Sequence, residues 1–175
     1  MNKQPPQSFY FRHGQVLPAS GQDPEVTEEG YLGLEMVRSQ LSMRKFSPEH
    51  LFSSTERRCI ESLTYMWPGT PLTVLPMLHA YGTFDFVGVV GQGRWIPRDY
   101  AHHLLNEILA VSEDQPFAVC SHDSTATLIG LALCERYGTE VSWSGKTYPH
   151  NMTFTDSGSG ILVWGGVYEF FKPPD

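Results

Sequence analysis

His13 and His122 each stand at the end of a short apolar run. Arg12 precedes His13, and Asp123 follows His122. An arginine fork matches phosphate oxygens, a neutral imidazole is a competent nucleophile, and a carboxylic acid donates a proton to a leaving group. These residue types are suited to phosphoryl transfer, in which fixed cations neutralise the charges of a phosphomonoester while a histidine attacks phosphorus, although each motif alone is a weak signal.

The apolar runs before these histidines are predicted β-strands, because large aromatic and apolar residues suit a strand buried on both faces. Strands are predicted at 9–11, 51–54, 71–75, 117–120, 152–155 and 161–171, and helices at 27–44, 55–66, 98–111 and 124–137. Strands that alternate with helices predict a three-layer α/β/α sandwich with a mostly parallel sheet. Ligands bind at the carboxyl ends of such strands, so we expect His13 and His122 in one site.

Length and composition predict one soluble domain. With 175 residues, 41% of them hydrophobic, the chain is expected to form a single domain over 1–175, with flexible ends at 1–7 and 172–175. A net charge of −7 argues against general binding to nucleic acid or to an anionic membrane. The three cysteines form no CxxC pair, so neither a disulfide scaffold nor a thiolate zinc site is indicated. No apolar leader or membrane-spanning run is present, which predicts a cytoplasmic protein; the oligomeric state stays open.

Four segments, in this order and spacing, resemble the motifs of the histidine phosphatase superfamily, the group of phosphoglycerate mutases and histidine acid phosphatases. The matching residues are Arg12-His13-Gly14, then Ser54, Arg58 and Ser62, then Ser121-His122, and finally Asn151-Met152-Thr153. The resemblance covers most of the chain and implies a phosphoglycerate mutase-like fold. It also implies that His13 is the nucleophile and that Arg12, Arg58 and His122 bind the phosphate. The spacing of the second motif favours Arg58 over its neighbour Arg57.

The branch within the superfamily determines which residue is the general acid. Asp123, directly after His122, resembles the His-Asp pair of the acid phosphatase branch, in which the aspartate is that acid. The acid phosphatase branch usually carries a further arginine where this chain has Val16, so one phosphate contact is lost or passes to another residue. The glutamate of the mutase branch would fall on Leu78, which leaves His79 beside it as an alternative acid.

Several candidates keep two interpretations. Gln15 is a phosphate contact or a solvent-facing residue, and Arg57 is a phosphate contact or part of a solvated helix face. Asn151 is a substrate-binding candidate that the resemblance alone implies. For Asp123, a helix N-terminus favours the ionised form, whereas burial and a bound dianion favour the protonated acid. Residues 79–96, rich in glycine and aromatic residues, are predicted to form an irregular loop over the site that sets substrate choice.

The sequence therefore predicts a metal-independent phosphomonoester hydrolase, without a cofactor, that works through a phosphohistidine on His13. Its expected substrate is a small phosphorylated molecule, such as a sugar phosphate or a nucleotide, or a phosphopeptide. One alternative is a phosphomutase, which requires the phosphohistidine to persist. The other is a non-catalytic phosphate-binding or phosphopeptide-binding module, which would keep the arginines but have no use for two histidines and an acid.

Overall fold

A computed structural model describes residues 4–17, 23–78, 97–138, 158–164 and 167–171. The predicted loop at 79–96, the predicted strand at 152–155, Asn151 and His79 lie outside these residues. The side chain of Asp123 also lies outside the description, although its backbone is described. Of the two chain ends predicted to be flexible, residues 4–7 are irregular, and 1–3 and 172–175 are not among the described residues.

Within the described residues, six strands form one sheet in the order β3-β2-β4-β1-β5-β6. The strands are β1 (Ser8–Arg12), β2 (His50–Ser53), β3 (Leu72–Val74), β4 (Phe117–Ser121), β5 (Gly160–Trp164) and β6 (Val167–Phe171). The first four run parallel to one another, and β5 is antiparallel to both β1 and β6. The predicted mostly parallel sheet is therefore confirmed.

Helices cover both faces of this sheet. They are α1 (Glu28–Met43), α2 (Arg57–Met66), α3 (Pro97–Ser112) and α4 (Asp123–Arg136), with a 3-10 turn at Pro76–Leu78. Phe9 and Phe11 of β1 pack with α1 and α2 in one apolar cluster, whereas Tyr10 packs with α3 and α4 in the other. Because consecutive strand residues point to opposite faces, both faces of β1 are buried, and the aromatic run is continuous rather than alternating with polar residues. The three-layer sandwich is confirmed.

The predicted single strand at 161–171 is wrong. The structure has two antiparallel strands there, β5 and β6, with Trp164 paired to Val167. The sequence carries a signal for this reversal, since Gly165-Gly166 is the kind of pair typical of a two-residue hairpin connection. Continuous hydrophobicity across the segment masked that signal, because both strands are rich in apolar and aromatic residues.

The start of α1 is fixed to the chain that follows His13. Thr27 is the N-cap of α1, and its hydroxyl accepts a hydrogen bond from the Gly30 amide at 3.0 Å. The same hydroxyl donates to the Gln15 carbonyl at 3.1 Å, and the Thr27 amide donates to that carbonyl at 2.8 Å. Helix α1 therefore holds the backbone two residues beyond His13.

Gly30→Ala is expected to destabilise the fold, because an added Cβ would lie 2.6 Å from the Gln15 carbonyl oxygen and 2.7 Å from its amide nitrogen. Backbone atoms cannot move aside as a flexible side chain can, so we expect a loss of about 1 to 3 kcal/mol in the free energy of unfolding. Gly130→Ala in α4 is the matched control, since its nearest neighbour would be the Tyr10 ring at 3.3 Å. Urea unfolding of both variants gives the comparison, and an equal or smaller loss for Gly30→Ala would contradict it.

No helix in the described part of the chain is long and apolar enough to cross a membrane.

Candidate active site

The two histidines predicted to share a site do meet at one edge of the sheet. Strands β1 and β4 are parallel neighbours with Arg12 opposite Ser121, so His13 and His122 leave the sheet side by side. The His13 amide donates to the Ser121 carbonyl at 3.3 Å, and the two rings lie with centroids 5.3 Å apart at 71°. This edge is formed by the carboxyl ends of the parallel strands, where ligands bind in such sheets.

His13 is buried, with 5% of its surface exposed, and its two ring nitrogens have different partners. Nδ1 lies 2.7 Å from the Gly14 carbonyl oxygen, which can only accept, so this nitrogen carries the proton. Nε2 is then unprotonated, and it accepts a hydrogen bond from Arg58 Nε at 3.2 Å. The geometry thus selects the tautomer whose Nε2 lone pair faces the arginine.

The pKa of His13 is lowered from 6.5 to about 3, chiefly because burial disfavours the charged ring, and nearby His122, Arg58 and Arg12 add repulsion. Imidazole titration by two-dimensional NMR should therefore show His13 neutral at pH 5, with protonation near pH 3. The signal is assigned by its absence from His13→Ala. A midpoint near 6.5 would contradict this environment.

Burial of His13 makes the stability of the folded protein depend on pH, because the His13 ring is protonated more easily in the unfolded chain. The folded pKa of about 3 lies below the unfolded value of 6.5, so between these values the unfolded state binds more protons. The contribution of His13 to stability is therefore present above pH 6.5 and is lost as the pH falls toward 3.

Arg58 reaches His13 from the first turn of α2. Its Nη1 lies 3.2 Å from Asp23 Oδ1, so one guanidinium bridges the histidine and a carboxylate. Ser62 fixes this turn to the histidine loop: its hydroxyl donates to the Arg58 carbonyl at 2.6 Å and accepts from the Gly14 amide at 2.8 Å. The spacing of Ser62 from Arg58, which supported the second motif, thus corresponds to a direct contact.

Arg57 points away from the histidines. Its guanidinium pairs with Glu25 and Glu61, at 2.6 Å in each case, and its side chain is about half exposed at 54%. Its backbone amide, in contrast, donates to the Asp23 carboxylate. Of the two arginines, only Arg58 has its side chain against His13 among the described contacts.

His122 contacts a carboxylate that the sequence interpretation did not single out. Its Nε2 lies 3.3 Å from Glu56 Oε2, and both side chains are largely buried, with 10% and 14% exposed. Burial alone would raise the pKa of Glu56, but hydrogen bonds from His122 and from the Ser54 hydroxyl outweigh it and lower the pKa to about 2. Glu56 is therefore an anion at neutral pH, and it orients His122 rather than acting as a proton donor.

Solved structures resemble this arrangement of strands and helices along nearly the whole chain. No protein-family sequence model matches the chain, and no curated protein matches it by sequence. A structure from Agrobacterium tumefaciens, described as a phosphohistidine phosphatase SixA, is 15% identical, with 96% of each chain covered and a TM-score of 0.59. YhfR of Bacillus stearothermophilus is 14% identical, with 95% of each chain covered and a TM-score of 0.61.

A third structure is the phosphoserine phosphatase of Entamoeba histolytica in complex with 3-phosphoglyceric acid, which is 16% identical, with 95% of each chain covered and a TM-score of 0.61. All three are histidine phosphatase superfamily members. This chain has the histidine phosphatase fold. At these sequence identities the likeness establishes the fold, as the motifs implied.

The remaining candidate site residues lie at different places in this histidine phosphatase fold. Arg12 ends β1 and is half-buried, with its amide donating to the Ser159 carbonyl at 3.0 Å. Gln15 is exposed, and its backbone carbonyl accepts hydrogen bonds from the Thr27 amide and the Thr27 hydroxyl. Asp123 is the first residue of α4, directly after His122. Burial raises the pKa of the Cys120 thiol well above its usual value, so this thiol stays protonated at neutral pH.

Glu56 is the feature of this histidine phosphatase fold that sequence reasoning missed. It stands two residues before Arg58 and is the N-cap of α2, where a carboxylate is common for reasons unrelated to function. The available signal was an acid placed beside two arginines at the start of the second motif. That signal becomes specific only once β2 and β4 are known to be neighbours, which brings Glu56 to His122.

Proposed function

We propose that this chain is a phosphomonoester hydrolase that transfers the phosphoryl group of its substrate to His13 and then to water. Arg12, Arg58 and His122 bind the phosphate, and Asp123 gives the leaving group its proton. The observation that carries the proposal is the buried, neutral His13 whose unprotonated Nε2 faces the Arg58 guanidinium at 3.2 Å.

The first step is attack by His13 Nε2 on phosphorus. A neutral imidazole keeps the lone pair that this attack requires, and the hydrogen bond from Nδ1 to the Gly14 carbonyl supports the cation that forms on the ring. The bond from phosphorus to the leaving oxygen breaks as the bond to Nε2 forms. Phosphate binding replaces the contact between Arg58 and His13, so the same guanidinium then binds the equatorial oxygens.

The leaving oxygen requires a proton, and two acidic residues are close to His122: Glu56 in space and Asp123 in sequence. Glu56 is excluded as the donor because its pKa of about 2 keeps it ionised at neutral pH. Asp123 is the proposed donor because it immediately follows His122 at the start of α4. After the first step its carboxylate takes a proton from the water that attacks the phosphohistidine, which releases phosphate and restores both residues.

Asp123→Asn is expected to slow hydrolysis of an alkyl phosphate far more than hydrolysis of an aryl phosphate with a stable leaving phenolate. An alkoxide needs the proton, whereas a nitrophenolate departs without it, so we expect a loss of roughly 10² to 10⁴-fold for the alkyl substrate only. Steady-state rates on both substrates give the ratio, and Asp99→Asn on the exposed start of α3 is the control. Equal losses on both substrates would contradict the role of Asp123 as the acid.

The function itself is tested by hydrolysis of an aryl phosphate in the presence of EDTA between pH 4 and 8. Turnover under these conditions supports a metal-independent hydrolase. Stoichiometric binding of inorganic phosphate without turnover of any phosphomonoester would instead favour the non-catalytic module. Activity that depends on a bisphosphorylated primer would favour the mutase. The comparison structures include proteins described as acting on phosphohistidine and phosphoserine, so a phosphopeptide and a small phosphorylated metabolite are the first substrates to compare.

A further inference from the structure

A second group of side chains with metal-ligand chemistry adjoins the phosphate site. Glu56, Cys59 and His122 each place one donor atom within 4.8 Å of the donor atoms of the other two. Cys59 is fully buried, and the other two side chains keep a small exposed fraction toward solvent. Imidazole nitrogen, thiolate sulfur and carboxylate oxygen are the three ligand types that Zn²⁺ uses in proteins.

The distances in this group suit a tetrahedral ion. With Zn–N and Zn–O near 2.0 to 2.1 Å and Zn–S near 2.3 Å, ligand atoms of a tetrahedral site lie about 3.3 to 3.6 Å apart. His122 Nε2 and Glu56 Oε2 are already 3.3 Å apart, which is one edge of that tetrahedron. The Cys59 sulfur lies within 4.8 Å of both atoms, so it has to approach them by about 1 Å to complete the set of ligands.

The fold fixes the three ligands independently of any ion. Glu56 is the N-cap of α2 and Cys59 lies three residues further along, so the first turn presents both toward the same side. The Cys59 amide donates to the Glu56 carbonyl at 3.0 Å, which orders that turn. The Ser54 hydroxyl donates to Glu56 Oε2, and such outer hydrogen bonds are typical of metal-ligating carboxylates.

Zinc binding changes the charge beside the arginines by one unit. The empty group carries the charge of ionised Glu56, whereas a dication bound to one carboxylate and one thiolate forms a neutral unit, so Arg58 and Arg12 lose one anionic neighbour but gain no cation. Binding forms bonds from zinc to Cys59 sulfur and to His122 Nε2; the thiol proton goes to solvent, and the proton that Nε2 donates to Glu56 passes by way of solvent to Nδ1, which keeps the ring neutral. His122 supplies a neutral imidazole, and the fourth position is left for water or for a phosphate oxygen.

We propose that Glu56, Cys59 and His122 form a binding site for one zinc-type transition-metal ion, and that its occupation inhibits the enzyme. The binding site stands on the geometry alone. The inhibition rests on the proposed function, because a His122 side chain that binds zinc no longer binds the phosphate of the substrate.

The binding site is tested with the untagged full chain titrated with Zn²⁺ in competition with a chromophoric chelator. Wild type is expected to bind one equivalent. Cys59→Ala and Glu56→Gln should each weaken binding by more than the roughly 10 to 100-fold that loss of an outer hydrogen bond costs. Cys134→Ala removes another buried free cysteine, one on α4 in the apolar cluster that does not contain Cys59, and should bind zinc as wild type does. Circular dichroism shows whether each variant is folded.

Co²⁺ provides a second readout that does not depend on affinity. Bound in place of zinc, it should give an intense thiolate-to-cobalt charge-transfer band in wild type and Cys134→Ala that Cys59→Ala lacks. Absence of one-equivalent binding in wild type would overturn the site. Binding that is unchanged in both Cys59→Ala and Glu56→Gln would also overturn it, because the ion would then lie elsewhere.

Activity separates the two claims. Stoichiometric zinc should inhibit aryl phosphate hydrolysis by wild type and EDTA should reverse this, whereas Cys59→Ala should keep its own zinc-free rate when the same zinc is added. Zinc binding to this group without inhibition would refute the regulatory claim while the site stands. Zinc binding in a protein that hydrolyses no phosphomonoester would refute the proposed function but not the site.

Discussion

His13→Ala is expected to lower turnover of an aryl phosphate by at least about 10⁴-fold, equivalent to roughly 5 kcal/mol of transition-state stabilisation. The substitution removes the Nε2 lone pair that forms the covalent bond to phosphorus. No other described side chain can take its place, since the second ring at the site, His122, is engaged with Glu56 at 3.3 Å. Steady-state hydrolysis with purified variant and wild type gives the ratio.

A loss of activity in His13→Ala has to be distinguished from a loss of structure. His13 is buried, so its truncation leaves a small cavity and removes one partner of Arg58. Binding of inorganic phosphate should persist, because Arg12 and Arg58 remain. His103→Ala is the matched control, since His103 pairs with Glu107 on α3 at 3.3 Å. Substantial residual activity in folded His13→Ala, or an equal loss in His103→Ala, would contradict the assignment of the nucleophile.

Arg58→Ala is expected to cost roughly 10² to 10³-fold in turnover, whereas Arg57→Ala should stay within about threefold of wild type. Both guanidiniums lie at the start of α2, but Arg58 Nε contacts His13 and Arg57 pairs with Glu25 and Glu61. These two neighbouring arginines therefore form a matched pair. They share charge and helix turn but differ in the residues that their side chains contact. Comparing kcat and KM of the two variants on one substrate gives the result.

The Arg58→Lys variant separates the effect of positive charge from the effect of guanidinium geometry. It keeps a positive charge but loses the planar fork, so activity between that of wild type and Arg58→Ala would show that geometry contributes beyond charge. The reverse order, with Arg57→Ala the more damaging variant, would mean that the second motif has been assigned to the wrong arginine.

The fold was largely predictable because its main elements leave strong local patterns. The aromatic residues 9–11 indicate a strand buried on both faces, and Thr27 marks the start of α1 through a local capping bond. The hairpin of β5 and β6 was not recovered, because continuous hydrophobicity across 161–171 outweighed the short Gly165-Gly166 signal. Local patterns report burial more reliably than they report a reversal of direction.

The site was predictable only as far as its residues carry sequence-local signals. His13 and His122 follow apolar runs, and Arg58 has fixed spacings to Ser54 and Ser62. Glu56 and Cys59 carry no such signal, because their relation to His122 arises from the pairing of β2 with β4 across more than sixty residues of chain. The roles of Asp123, Asn151 and Gln15 stay predictions. The Asp123→Asn variant tests the first of them.

In the proposed mechanism, His13 carries the phosphoryl group during turnover. The most direct test is to mix the protein with an aryl phosphate in EDTA, quench rapidly in alkali and locate phosphate on the chain by mass spectrometry. We expect a phosphate that is stable in alkali, labile in acid and located on His13, and that is absent from His13→Ala. Turnover with no phosphate on the protein, or with phosphate on another residue, would show that His13 is not the nucleophile.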